Sequence, residues 1–317
     1  ISIWNQQPNL KDNVNPMEWM WFSLASAFTF ALVSVLDKLL ISKHVDNAKV
    51  FIVTVGVAQF CLGLVAVPVS AFSGITLATM TVVIFSGISS GMYLVIMFQI
   101  MESQDVSRVV PVVSTYPVFV AILAFFILGE EVTIYSLACI LITVFGAALV
   151  SLSPSGQKAS AKSNVTAMLL LFFASILFGL SQFLAKTVAG EVDMWTQYMI
   201  RGFSGGLTCF ALILLPGVLT GVTSILKKPK SLFLIGFTEG FLVFFAILFF
   251  FLAIYAGEIY MVSTVMASRP IFVFGIGLIL SLPMIKLLNE PLNGRSLAVR
   301  ATGTFLTVLG VAGVSLL

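Results

Sequence analysis

Tyr116-Pro-Val-Phe-Val-Ala-Ile-Leu-Ala-Phe-Phe-Ile-Leu-Gly-Glu130 is the stretch on which the fold turns. Between Pro117 and Gly129 no residue is polar, so a helix there is apolar on every face. Such a helix sits either inside a large core or in lipid. The rest of the chain decides for lipid. Of the 317 residues, 59% are hydrophobic and 9% charged, whereas a soluble domain devotes about a quarter to charge. Apolar runs fall at about 17–41, 49–72, 76–101, 107–129, 132–152, 164–187, 194–219, 231–256, 259–287 and 296–317. Each is near the roughly 20 residues that one helical crossing of the hydrocarbon uses. Transmembrane strands would alternate apolar with polar, and 168–180 and 241–255 do not, which excludes a barrel. The expectation is an all-α integral membrane protein of ten transmembrane helices.

The opening stretch has a second copy. Tyr116-Pro117-Val-Phe matches Arg269-Pro270-Ile-Phe, and Glu130 matches Glu290, with about seven extra residues around 281–287 in the later copy. Phe30-Ala-Leu and Asp37-Lys38 match Phe178-Gly-Leu and Ala185-Lys186, and Gly87-Ile-Ser-Ser-Gly91 matches Gly236-Phe-Thr-Glu-Gly240. Between the copies lies a Ser/Ala/Lys stretch, 153–163, with five runs on either side. The expected organisation is an exposed leader at 1–16, a first five-helix repeat at 17–152, a linker at 153–163 and a second repeat at 164–317. An odd number of crossings per repeat sends the second through the membrane from the opposite side. Inverted repeats of this kind bind substrate near the midplane where the halves meet.

Lys43, Lys49, Lys158, Lys162, Lys227, Lys228, Lys230 and Arg295 fall on one side of that topology, and essentially Lys11 on the other. The positive-inside rule then places both termini outside the cytoplasm, in a plasma membrane expected to be prokaryotic. A net charge of +3 without a basic stripe excludes a nucleic-acid surface. Cys61, Cys139 and Cys209 lack metal-ligand spacing and read as core residues. His44, the only histidine, reads as a solvated loop residue, and no nucleophile, zinc or phosphate-loop motif occurs, so neither an enzyme nor a cofactor or metal is expected. The expected partners are a small-molecule substrate and the lipid bilayer, for a monomer or homodimer.

The Pro, apolar run and Gly-Glu of 116–130, together with its looser copy, resemble the drug/metabolite transporter superfamily and within it the ten-helix EamA-type carriers. The resemblance spans about residues 20–317. It implies two inverted five-helix halves around a central cavity lined mainly by helices 1, 3, 4, 6, 8 and 9, with helices 5 and 10 bracing the outside. Arg201 stands where the second half of such carriers commonly has an arginine, and its counterpart near Val53 is absent.

Ionisable groups in mid-bilayer cost about 2.5–3.5 kcal/mol each on insertion scales, so they are the first candidates for function. Glu239, inside the eighth run, would carry a coupling proton or meet a substrate cation; the plainer alternative pairs it with Arg201 or Arg269. Arg269 would clamp a carboxylate or phosphate beside the break made by Pro270, or else serve a structural pair. Asp37 and Lys38 point about 100° apart on a helix, so one would face the cavity and the other reach the interface. Tyr93, Tyr116, Ser90, Gln182 and Ser263 would orient substrate by hydrogen bonds, or join helices. Lys186 and Arg201 read as interfacial anchors, Glu130 and Glu290 as helix-end caps, and both Gly-x-x-x-Gly pairs as packing seams. The expected function is secondary transport of a small polar or zwitterionic metabolite, such as an amino acid or relative, by alternating access. The alternatives are efflux of lipophilic cations, drawn to Glu239 among Phe241, Phe244, Phe245 and Phe249, and a non-transporting membrane receptor or scaffold.

Overall fold

A computed structural model of the chain describes residues 18–316 other than 46, 105, 152–160 and 281–293. The expected leader, most of the linker, the extra residues around 281–287 and Glu290 lie outside the described residues. Within them the elements are α1 (Glu18–Lys43), α2 (Ala48–Ala66), α3 (Leu77–Ser103), α4 (Val106–Val113), α5 (Pro117–Leu123), α6 (Ile134–Ser151) and α7 (Ala161–Thr187). They continue with α8 (Met194–Phe210), α9 (Val218–Leu226), α10 (Pro229–Ile235), α11 (Val243–Ala256), α12 (Ile259–Met266), α13 (Arg269–Leu280) and α14 (Gly294–Ser315). No strand occurs among the described residues. Seven helical stretches are long and apolar enough to cross a membrane, an eighth candidate is a bent pair, and Ile134–Leu149 and Ala301–Val314 are shorter apolar helices. Leu77, Phe126 and Phe233 are among many large apolar side chains on the outer surface, at 85%, 77% and 72% exposure, which only a lipid surround accommodates. The protein is an integral membrane protein.

Several apolar runs that read as single helices are broken, each at an identifiable residue. The run predicted at 194–219 turns by 113° between Leu214 and Val218. Leu215 is extended ahead of Pro216, as a residue before proline must be, and Gly217 takes the left-handed conformation at φ 79°. Between α4 and α5 the amides of Thr115 and Tyr116 reach back only three residues, to Val112 and Val113, each at 3.3 Å, just ahead of Pro117. Between α12 and α13 the amide of Ser268 likewise donates to Val265, at 3.0 Å, just ahead of Pro270. Proline supplies no amide to the turn behind it, so both helices restart there. Two further segments widen into π-turns, Ala124–Leu128 after α5 and Gly236–Leu242 between α10 and α11.

The helices pack in pairs: α2 on α8, α3 on α7 and α8, α1 on α11 and α13, and α6 on α14. In lipid the close approach of backbones is what drives such pairing, and small residues allow it here. A methyl group placed on Gly56 of α2 would lie 2.7 Å from the Gly206 carbonyl of α8, and one on Gly91 of α3 would lie 2.8 Å from that of Gly205. One on Gly310 of α14 would meet the Cys139 carbonyl of α6 at 2.6 Å. Gly87 and Gly91 thus form the seam expected of them, against α8. Gly236 and Gly240 do not: nothing lies within 4 Å of a methyl placed on either, and both belong to the π-turn. The cysteines also differ from expectation, since only Cys209 is buried, Cys139 is half-buried and Cys61 is exposed on the apolar surface.

Candidate functional site

The bundle encloses a cavity of about 80 Å³, several times what one water needs. Asp37 of α1, Ser90 and Tyr93 of α3, Gln182 of α7, Glu239 of the second π-turn and Arg269 of α13 all line it, as expected from their charge or polarity. The walls between them are rings, among them Phe30, Phe98, Phe178, Phe250 and Phe251. The wall also includes Gln59 of α2 and Tyr198, Arg201, Gly202 and Gly205 of α8, helices not expected at the centre, whereas α4 and α5 contribute nothing to it.

Each charged group has a structural reason to be there. Glu239 is 2% exposed and lies in the π-turn, whose extra residue rotates a side chain out of the ordinary helical register. Its neighbour is neither of the arginines that the plainer alternative offered but Asp37, 1% exposed on α1, whose carboxyl lies within hydrogen-bonding reach of that of Glu239. Arg269 stands at the restart of the broken helix. It donates Nη2 to the Ser34 hydroxyl, covers the Phe30 ring at 5.4 Å and is close enough to act electrostatically on Asp37. Arg201 does not reach the headgroups. Its Nη2 donates to Ser181 Oγ at 2.9 Å, and its guanidinium lies over the Phe251 and Phe250 rings at 5.3 and 5.7 Å. Sequence reasoning placed Arg201 near the surface by counting from the helix start; the only signal against that was Gly202, Gly205 and Gly206 beside it, which let α8 sink into the centre.

Three expected site residues are used elsewhere. Lys38 turns away from the cavity and donates Nζ to the carbonyls of Met101 and Gln104, at 2.7 and 2.9 Å, which end α3. Four carbonyls at a helix end have no partner within the helix, and a cation there answers both them and the dipole. Lys186 does the same for α11, at 2.7 Å to the Ile254 carbonyl and 2.6 Å to that of Gly257. Tyr116 and Ser263 meet each other outside the cavity: the phenol donates to the Ser263 carbonyl at 3.2 Å, while the Ser263 hydroxyl donates back to Tyr260. Both join helices. Glu130 acts as the expected cap, accepting from the Ile259 amide at 3.1 Å and the Tyr260 amide at 3.5 Å at the start of α12.

Asp37 Oδ1, Glu239 Oε1, Gln182 Oε1, Tyr198 Oη, Arg201 Nη1 and Arg269 Nε are buried without a hydrogen-bond partner among the described residues. Folded proteins leave few such groups, and each one costs about 1–3 kcal/mol. Six of the nine such atoms among the described residues thus belong to residues that line one cavity, the other three being on Gln197, Ser268 and Thr304. Two acids, two guanidiniums, an amide and a phenol therefore converge on a space walled by rings. Groups of these kinds can hydrogen-bond and pair charge with a small polar molecule.

Residues 17–152 match the EamA-like transporter family. No curated protein matches the chain. Among solved structures, one crystal structure is similar with a TM-score of 0.66 over 95% of this chain and 96% of its own, at 15% sequence identity, a likeness of fold.

Proposed function

From the match of residues 17–152 to the EamA-like transporter family we propose that the chain is a member of that family and, as a whole, a secondary carrier. It moves a small polar or zwitterionic metabolite by exposing the central cavity alternately to the two sides of the membrane. The observation that carries this reading is the cavity itself. Each ionisable group in hydrocarbon is costly, and this bundle holds four of them, Asp37, Glu239, Arg201 and Arg269, around one space. A cavity that holds both acids and guanidiniums suits a solute bearing both charges, such as an amino acid. The phenylalanines offered by the sequence for lipophilic cations favour that alternative less, since Phe241, Phe244, Phe245 and Phe249 are not among the residues that line the cavity and Phe241 is 56% exposed on the outer face.

We read the architecture as ten crossings in two inverted five-helix repeats, and three correspondences support it. The contact of α1 with α11 exchanges with that of α7 with α3 when the halves are swapped. Lys38 on the C-terminal carbonyls of α3 exchanges with Lys186 on those of α11. The breaks before Pro117 and Pro270 exchange as well. Orientation is supported by charge: the Ser231 hydroxyl lies 3.5 Å from His44, which brings the loop of Lys43 and Lys49 to that of Lys227, Lys228 and Lys230. Glu130, Glu191, Asp193 and Glu258 gather at turns of the other end, so the lysine end is cytoplasmic by the positive-inside rule, in a prokaryotic plasma membrane.

The test is flux into liposomes containing the purified protein, with amino acids, monocarboxylates and lipophilic cations offered as separate labelled panels. Uptake of a carboxylate-bearing solute, lost on Arg201→Gln, is expected. Transport of the cations alone would favour the efflux alternative, and binding without any flux would make the protein a receptor and overturn the proposal.

A further inference from the structure

We propose that Asp37 and Glu239 together form a single-proton site, whose occupancy switches the charge of the central cavity between zero and plus one. The inference rests on the carrier reading for its purpose, though not for its geometry. The two carboxyls come from α1 and from the π-turn before α11, about two hundred positions apart in sequence; α1 packs on that turn, and both carboxyls line the same cavity within hydrogen-bonding reach of each other. Neither is open to solvent, at 1% and 2% exposure. Two carboxylates hydrogen-bond only if one of them carries the proton, because an ionised carboxylate accepts and does not donate. Two bare negative charges at that separation in a dry site repel strongly, so the pair shares one proton and titrates as a unit.

The surroundings keep the pair from taking up a second proton. Arg269, nine-tenths buried and unpartnered at Nε, faces the Asp37 side and favours one ionised carboxyl. Around the pair stand Tyr93 of α3, the amide of Gln182 on α7, Cys209 on α8 toward Glu239, and across the cavity Arg201 with Tyr198. Lys38, although next to Asp37 in sequence, is spent on the end of α3. The charged groups that line the cavity are then two guanidiniums and two carboxyls. With both carboxyls ionised they cancel. With the shared proton in place, one positive charge is left for an anionic group of the solute.

That count yields coupling. Moving uncompensated charge through hydrocarbon is expensive, so the forms best able to reorient are the deprotonated empty cavity and the protonated cavity holding a net monoanion. Both are neutral. On this count the polar solute of the carrier reading carries one net negative charge, as an acidic amino acid does and a neutral zwitterion does not, and it would travel together with a proton, without net charge movement.

The proton is measurable without knowing the solute. Infrared spectra of the protein in lipid nanodiscs, recorded across pH, resolve the stretch of a protonated buried carboxyl. Wild type is expected to show such a band near neutral pH, and Glu239→Gln to lose it, because Asp37, left alone, stands beside Arg269 and ionises; Asp37→Asn, which removes the hydrogen-bonded partner, is expected to move the band of Glu239 to another frequency. The double variant is expected to match Glu239→Gln. Absence of the band in wild type overturns the proposal even if the variants fail to fold. So does its survival, at half intensity, in both single variants, the pattern of two independent acids. Liposome flux with no such band sinks the proton site alone; the band with no flux of any panel sinks the carrier reading and leaves the site standing.

Discussion

Placing a methyl group on Gly87 should weaken the bundle, whereas the same change at Gly240 should not, although the two glycines head and close matching Gly-x-x-x-Gly pairs. On Gly87 the new carbon would lie 2.9 Å from the Arg201 carbonyl oxygen and 3.0 Å from the Arg201 Cα, and would also strike Ser204 Oγ. The serine can rotate; backbone cannot, so α3 and α8 must separate by a few tenths of an ångström along their crossing. Overpacking of that sort costs about 1–3 kcal/mol. Alanine also raises helix propensity over glycine by about 0.8–1 kcal/mol, but that gain is common to both positions. The difference between Gly87→Ala and Gly240→Ala therefore isolates the packing, and at about 1–3 kcal/mol it corresponds to roughly a 5- to 160-fold change in the folded-to-unfolded ratio. Unfolding of both variants in mixed micelles at increasing denaturing detergent, followed by tryptophan fluorescence, reads it directly. Because the clash falls on the backbone of Arg201, Gly87→Ala should also lower solute uptake. Equal stability of the two variants would refute the reasoning, since it would mean that the α3–α8 approach is looser than the structure has it.

Lys38→Met and Lys186→Met should each lower stability by on the order of 2 kcal/mol, as both strip a helix end of a charged donor bound to two carbonyls; a thermal melt in detergent that moves for only one would contradict their equivalence. Burial holds the Glu130 carboxyl above the usual carboxylate range, although the Ile259 amide and Lys186 pull the other way. A folded-state value raised in this way favours the fold while the group is protonated, and that contribution fades as pH rises through the folded value. Glu130→Gln should therefore gain on wild type between acid and neutral pH in the same melt, and an unchanged difference would count against it. Phe251→Ala should reduce uptake, because the ring lies against Arg201, while Phe241→Ala on the outer face should leave it within about twofold; the reverse order would argue for a lipid-side route.

Much of this was open to reading from composition and period alone, and what escaped did so for reasons of geometry. Hydrophobic runs locate helices because lipid requires some twenty apolar residues in a row, and charged residues inside those runs announce themselves: Asp37, Glu239 and Arg269 all reach the cavity. Adjacent charges diverge on a helix, so Asp37 could be separated from Lys38, but not told apart from it. The neighbour of Glu239 was missed because opposite charges are the natural guess, and no local pattern tells of a carboxyl some two hundred positions away. Arg201 was put too near the surface since the depth of α8 depends on glycines whose faces are only evident once α2 and α3 lie against them. The π-turn at Gly236–Leu242 leaves no mark on an apolar run, and it decides where Glu239 points.

The two-sided approach to α8 has a consequence for how such a protein can change over generations. Gly91, Gly202 and Gly205 form one wall of the cavity and are at the same time the points where three helices touch. Enlarging any of them to reshape the pocket would prise the scaffold apart. Phe30, Phe178 and Phe250, which line the same cavity from α1, α7 and α11, are positions at which its shape can change without adding a side chain at those glycine crossings.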